Sequence, residues 1–485
     1  MIVSSLKLKD SKKLIQEQIL FGNEPTPELI AILTVYFVQG ILGLARLAVS
    51  FFLKDDLGLS PAQVAALMGV ASIPWVVKPL FGFMSDGLPL FGYRRRPYLI
   101  LSGFLGTIAW LALAIWVNSA WSATAVILLT SISVAISDVI VDSLIVERAR
   151  EESIAKSGSL QSLSWGCSAL GGLITAYLSG LLLEHMSNSA IFEITATFPL
   201  IVSGVAWLIT EEKVVPNSDS QKTENSLVKE QIQQLWGAIK QKSIWLPTAF
   251  LFIWQATPTT DSAFFFFSTN ELGFEPEFLG RVRLVSSLAS LLGIFIFQNY
   301  FKSIPFRRIL GWSTVIAAGL GMTTLLLVTH ANRALGIDDH WFSLGDSLIL
   351  TVAGQITWMP VLILSARLCP KGVEATLFAL LMSIWNLSGL LSHELGALLT
   401  SCLGVTETNF DNLWLLVIIT NLSTLIPLPF LPWLPAGDPQ TEIVKSDRSL
   451  APAEASGHHA MGALVENQLI PDFVPEFVVN HPSED

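Results

Sequence analysis

Stretches of about 20 apolar residues recur along this chain, and they constrain its fold more than any other feature. A membrane-spanning helix needs about 20 apolar residues, because the hydrocarbon core of a bilayer is about 30 Å thick. Within lipid, a segment must satisfy its own backbone hydrogen bonds, which favours helices. We therefore predict an all-α membrane protein with twelve transmembrane helices, near residues 28–53, 61–86, 97–117, 121–147, 157–184, 190–210, 244–269, 277–300, 306–329, 343–368, 372–401 and 411–435.

The composition agrees with a chain that is largely surrounded by lipid. Of its 485 residues, 52% are hydrophobic and 14% are charged, whereas about a quarter of the residues in a soluble domain are charged. Much of the net charge of −11 lies in the tail after Pro435, and an acidic chain is a poor partner for nucleic acid. Three scattered cysteines indicate neither a disulfide framework nor a metal site, so we predict no metal and no cofactor.

A polar segment divides the apolar body into two halves. Residues 211–243 are rich in Lys, Glu, Gln and Ser, and they separate a six-helix bundle at 28–210 from a second at 244–435. Lys and Arg concentrate at alternate helix ends, and such basic ends face the cytoplasm. We predict a protein of the cell (inner) membrane with both termini in the cytoplasm. These are an overhang at 1–27 and an acidic, disordered tail at 436–485.

Three charged residues are predicted to lie deep inside the first bundle. Lys78 is in the second apolar stretch, and Asp138 and Asp142 are in the fourth. Ionisable groups inside a membrane are costly unless they are paired or hydrated, so each is a functional candidate. The two aspartates are four residues apart and share a helix face. Their mutual repulsion makes either one a candidate proton carrier. The alternative is a structural ion-pair knot between two helices.

A second group of candidate substrate-binding residues lies in helices 1, 7 and 8 and comprises Arg46, Trp254, Gln255, Asp261 and Arg283. Trp254, Pro258 and Asp261 follow one another at i, i+4 and i+7, which predicts one stripe of helix 7, bent at the proline. A planar aromatic ligand could stack on Trp254 while Gln255 and Asp261 bind its polar edge. Helix packing is the alternative role for Trp254.

The loop between helices 2 and 3 carries a signature made of Gly82, Asp86, Gly92, Arg94, Arg95 and Arg96. It is similar to the G-xxx-D…G-[RK]-R loop of the major facilitator superfamily. The Asp86 carboxylate can cap the positive N-terminus of a helix in the other half, such as the one starting near Lys371. The arginines can pair with acids such as Glu147. We expect this loop to act as a cytoplasmic conformational latch.

Six strings make the resemblance more specific: YFVQG (36–40), KPLFG (78–82), DVIVD (138–142), NELGF (270–274), PEFLGRV (276–282) and LCPKGVEAT (368–376). Together they resemble the folate–biopterin transporter family of the major facilitator superfamily, in its cyanobacterial and plastid branch. The resemblance covers about residues 28–435. It implies the major facilitator fold, with two pseudo-symmetric six-helix bundles.

The resemblance also implies a function, which is proton-coupled symport of folates and related pterins by alternating access. The transporter would be monomeric. One of the three membrane aspartates would accept the pterin N–H groups, and the anionic glutamyl tail would bind a cation: Lys78, Arg46 or Arg283. The alternatives are another flat aromatic anion such as a tetrapyrrole, or a membrane assembly factor for pigment proteins. The sequence has no phosphate-binding GxxxxGK[ST] loop and none of the enzyme motifs HExxH and GxSxG, so neither ATP hydrolysis nor enzymatic catalysis is expected.

Overall fold

The computed structural model describes residues 23–151, 154–213, 240–301, 304–368 and 374–435. Most of the predicted overhang and linker, and the whole acidic tail, lie outside these residues. Within them the chain forms helices and loops and no β-sheet. The all-α prediction is therefore confirmed for the part of the chain that is described.

The first half consists of six helices: α1 (Pro27–Asp56), α2 (Pro61–Gly87), α3 (Arg96–Ile115), α4 (Ala120–Glu151), α5 (Ile154–His185) and α6 (Asn188–Leu208). Local sequence sets their starts. Pro61 occupies the first turn of α2, where its missing N–H costs nothing. Ser60 caps that turn, since its hydroxyl accepts from the Gln63 N–H and the Gln63 side chain bonds back to Ser60.

The second half contains α7a (Lys242–Gln255), α7b (Asp261–Phe266), α8 (Pro276–Phe301), α9 (Phe306–Val328), α10 (Asp339–Arg367), α11 (Glu374–Cys402) and α12 (Leu413–Trp433). Within the described ranges, ten helices are long and apolar enough to cross a membrane. The two predicted spans outside that set are helix 7, which is broken, and α11, whose first turns are only partly described. The number of twelve crossings stays a prediction.

The prediction of one continuous stripe on helix 7 is wrong. The helix ends at Gln255, and α7b begins only at Asp261, so Trp254 and Asp261 lie on separate segments. Pro258 lacks an N–H and its ring clashes with a helical backbone, which explains the position of the break. The freed backbone is bonded by α11, where the Ser392 hydroxyl donates to the Thr257 carbonyl.

The two halves contact each other where the predicted topology places the outer surface. At the end of α5, a Cβ built on Gly180 would lie 2.2 Å from the carbonyl oxygen of Pro276 on α8. The Tyr177 hydroxyl donates to Glu277 at 2.9 Å, and Lys54 donates to Asn270 at 2.7 Å. The outer ends of the two halves are therefore closed against one another.

We expect Gly180→Ala to impair this closure. A methyl group at residue 180 cannot fit without separating α5 from α8, and overpacking of this kind costs about 1–3 kcal/mol. Solute uptake should fall and the melting temperature of the purified protein should drop. Gly166→Ala on the same helix is the matched control, because a Cβ there meets nothing within 4 Å. Equal effects of both substitutions would show that the α5–α8 contact is not limiting.

Candidate functional site

A charged cluster joins α1, α2 and α4 inside the first half. Lys78 opens the last segment of α2 (Lys78–Gly87), and its ammonium group contacts both aspartates of α4. It donates to Asp142 at 2.8 Å and forms an ion pair with Asp138. The Tyr36 hydroxyl of α1 donates to the other oxygen of Asp142. The four residues are thus one network, in which two carboxylates share one cation.

The members of this network differ in accessibility. The side chain of Asp142 is 39% exposed, that of Lys78 is 24% exposed, and that of Asp138 is 11% exposed. Asp142 is therefore the carboxylate that a solute can reach first. Because its negative charge is only partly balanced by the shared lysine, it can still accept hydrogen bonds from a ligand.

Two arginines lie on the outer side of this network. Arg283 of α8 donates to Ser179 at 2.7 Å and approaches the Gly43 carbonyl at 3.4 Å, and it is close enough to Arg46 for the two charges to repel. Among the described residues, neither arginine forms an ion pair. Lys78, in contrast, is already bound to two carboxylates. The arginines, rather than Lys78, are therefore the cations free to bind an anion.

Aromatic side chains form a surface in the second half. The ring of Trp385 on α11 lies 4.4 Å from that of Trp358 and 5.8 Å from that of Trp254, measured between centroids. The Trp254 indole donates to Thr314 on α9 at 3.3 Å, which supports its packing role. Asn386, next to Trp385, donates to the Trp75 carbonyl of α2 at 3.0 Å.

Trp75 connects this aromatic surface to the charged network. The ammonium group of Lys78 lies 5.8 Å from the centre of the Trp75 ring, within the range of a cation–π contact. Aromatic faces and ionised groups therefore meet at the boundary between the two halves, which is a common place for a ligand site.

Two further predicted residues lie near the break in helix 7. Asp261 is exposed at the start of α7b, where its N–H bonds to the Thr259 hydroxyl at 3.2 Å. Gln255 ends α7a, with its amide nitrogen 3.7 Å from a Cβ built on Gly389 of α11. Gln255 therefore lies against α11, whereas Asp261 begins a separate helical segment, so the two residues do not share one stripe.

The loop after α2 is held within its own half. Arg95 forms an ion pair with Asp86 at 2.7 Å and donates to Ser85 at 2.9 Å. The Glu211 carboxylate accepts from the backbone N–H groups of Arg94, Arg95 and Arg96. Gly82 lies beside Val139 of α4.

The predicted partners of this loop are not among the described contacts. Lys371 lies outside the described residues, as does the side chain of Glu147. The capping of the other half by Asp86, and with it the latch, stay predictions.

An apolar groove of about 400 Å³ lies apart from these charges. It runs between α7a, α11 and the end of α12, where Trp245, Phe252, Leu381 and Trp433 contribute to its walls. None of its lining residues is charged, so it does not suit an anionic solute.

The sequence interpretation missed several residues of this region: Tyr36, Trp75, Trp358 and Trp385. A signal for Tyr36 was present, since it is a polar aromatic residue in an apolar stretch. The tryptophans gave none, because 15 of them are spread along the chain and most membrane tryptophans anchor at interfaces.

Solved structures at low sequence identity identify the fold. The chain is similar to the D-xylose-proton symporter (TM-score 0.60, 15% identity, 85% of this chain and 98% of that one). It is also similar to the nucleoside transporter NupG (TM-score 0.60, 15% identity, 84% and 98%). A bacterial homolog of the human lysosomal transporter Spinster, in an inward-facing and unoccupied conformation, matches at TM-score 0.61 (14% identity, 85% and 96%). The fold is that of the major facilitator transporters.

Sequence comparison is more specific. The BT1 family matches residues 39–455, and this chain belongs to that family. The folate-biopterin transporter of Synechocystis sp. is 60% identical over 481 residues, which are 97% of this chain and 96% of that protein. Folate transporter 1 of Plasmodium falciparum is 32% identical, over 90% of this chain and 85% of that protein. The family resemblance is confirmed, and the chain is a multi-pass membrane transporter rather than an enzyme.

Proposed function

We propose that this chain is a secondary active transporter of folates and related pterins, coupled to protons and working by alternating access. The observation that carries the proposal is a site with two poles. The Asp138–Asp142 pair is one pole and accepts N–H groups, and the unpaired Arg46 and Arg283 are the other. The substrates in the names of the relatives support the same ligand class.

The separation of the poles suits an elongated ligand. Tyr36 anchors the carboxylate pole to α1, and the Gly43 carbonyl lies beside Arg283 at the other pole. Seven residues of helix correspond to about 10 Å at a rise of about 1.5 Å per residue. A folate carries its pterin ring and its glutamyl carboxylates at opposite ends of a p-aminobenzoyl spacer. The pterin can donate paired N–H groups to Asp142, and the carboxylates can accept bidentate hydrogen bonds from arginine.

The closed outer ends of the two halves support alternating access. A substrate that reached Asp142 in this conformation would enter from the inner side. We propose that protons bind at the Asp138–Asp142 pair, where two carboxylates share one lysine and only one needs to stay ionised. The proposal includes an inner-membrane location with both termini cytoplasmic, a monomeric transporter and a lipid bilayer as its surroundings.

Vesicle uptake tests the function. Right-side-out and inverted vesicles that carry the chain should take up labelled folate in excess of vesicles without it, and a protonophore should abolish accumulation above equilibrium. Unlabelled folate and biopterin should compete, whereas a porphyrin should not. If a porphyrin blocked uptake and unlabelled folate did not, the proposed substrate class would be wrong. If accumulation persisted with the protonophore, the proposed proton coupling would be wrong.

A further inference from the structure

Glu394 of α11 is a membrane carboxylate that the two-pole site does not use. It is partly buried against α2, where a Cβ built on Gly69 would lie 2.5 Å from its Oε1 atom. Any other residue at position 69 would therefore compete with this carboxylate for space. The contact belongs to the outer half of both helices under the predicted topology, so it joins the two halves of the transporter on the closed side.

The surroundings of Glu394 give its charge little compensation, since the neighbouring His393 can balance it only when the imidazole is protonated. Among the described residues, no group donates a hydrogen bond to it and no cation pairs with it. His393 precedes it on α11. The ionisable groups on the helices packed against α11 include Lys78 and Asp86 on α2, Lys242 on α7a, and Asp339, His340 and Asp346 on α10. Lys78 is nine residues deeper on α2 than Gly69 and is held by Asp138 and Asp142.

The stability of the contact between α2 and α11 depends on whether Glu394 is protonated. An ionised carboxylate pressed against a helix without a partner is unfavourable, whereas a protonated one packs at much lower cost. When the outer ends separate, the same carboxylate is hydrated and can ionise. The close contact of α2 with α11 and the ionised form of Glu394 are therefore mutually unfavourable.

We propose that Glu394 is a proton-binding group of the outer gate. In its protonated form α2 and α11 close over it, and in its ionised form they separate. The inward-directed conformational change would then require a proton from outside. The return of the empty transporter would follow when the partly buried carboxyl group loses that proton on the inner side. This inference rests on the proposed alternating-access function and names a coupling residue for it.

Purified full-length protein in proteoliposomes tests the inference with two assays. Counterflow measures exchange of labelled for unlabelled folate and needs no proton gradient, whereas accumulation is driven by an imposed pH gradient. We expect Glu394→Gln to keep counterflow close to that of the unmodified protein and to lose accumulation beyond equilibration. Glu394→Asp, which keeps an ionisable group, should retain part of the accumulation. His393→Gln, which changes the neighbouring group on the same helix, should behave as the unmodified protein.

The outcomes separate the two proposals. Full accumulation by Glu394→Gln would overturn the gate assignment and leave coupling to the aspartate pair. Equal loss of counterflow in Glu394→Asp and Glu394→Gln would also overturn it, since a purely structural role predicts that result. If the unmodified protein itself showed no folate counterflow, the transport function would fail instead.

Discussion

Asp142→Asn should lower folate uptake about 10- to 100-fold while the amount of folded protein in the membrane stays near normal. Loss of a hydrogen bond to a charged group costs about 1.5–3 kcal/mol, and about 1.4 kcal/mol corresponds to a factor of ten in affinity. Lys78 keeps Asp138 as its partner in this variant, so no unpaired charge is left behind. The measurement is initial uptake, normalised to protein abundance.

Two further variants show whether the charged network serves function or packing. Asp346→Asn on α10 is the matched control, because its carboxylate accepts from Thr323 and Thr324 within the second half and should not affect uptake. Lys78→Ala leaves two carboxylates without their cation and should be less stable, since breaking a buried pair costs about 3–5 kcal/mol. If abundance of Asp142→Asn fell in step with uptake, the structural ion-pair knot would be the better interpretation.

Arg283→Gln should impair the uptake of folates much more than the uptake of biopterin. Folates carry a glutamyl tail and biopterin does not, so removal of the arginine should raise the KM for folate about 10- to 100-fold, through loss of a charge-assisted contact of about 1.5–3 kcal/mol. Biopterin uptake should change little. Arg283→Lys should restore part of the folate uptake, because it keeps the charge but loses the bidentate geometry of the guanidinium.

Arg281 provides the control for this prediction. It lies two residues away on α8, its side chain is 57% exposed, and it pairs with Glu277 at 2.7 Å. Arg281→Gln should leave both substrates close to normal. Arg283 also bonds to Ser179 of the other half, so an equal loss of folate and biopterin uptake in Arg283→Gln would assign it to the contact between the halves rather than to the glutamyl tail.

The sequence predicted the residues of the carboxylate pole better than those of the aromatic surface. Lys78, Asp138 and Asp142 stood out because charges are rare in apolar stretches, and their cost in lipid makes each conspicuous. Trp358 and Trp385 could not be selected in this way, because an aromatic residue is ordinary in a membrane helix. Their proximity depends on how α10 packs against α11, which no local pattern encodes.

The break in helix 7 shows the same limit. Pro258 signalled a distortion, but a proline in a membrane helix can produce a bend or an interruption. The interruption is stabilised from outside the segment, by Ser392 and by the close approach of Gly396 to the Thr259 carbonyl. The prediction of a continuous helix-7 stripe was wrong because the interruption depends on contacts between helix 7 and α11, which the sequence of helix 7 alone does not specify.

The sequence by itself determined that the chain is an α-helical membrane protein and which few charges enter the apolar helices, because lipid imposes these constraints residue by residue. Only the tertiary structure decided which charge neutralises which. From the sequence, Lys78 was a candidate cation for an anionic ligand, but the fold places it between two aspartates that are 60 and 64 positions away in the chain. The same packing leaves Arg46 and Arg283 without a carboxylate partner among the described residues. Ion pairing depends on the distances between charged side chains on different helices, and these distances are set only when the helices pack together.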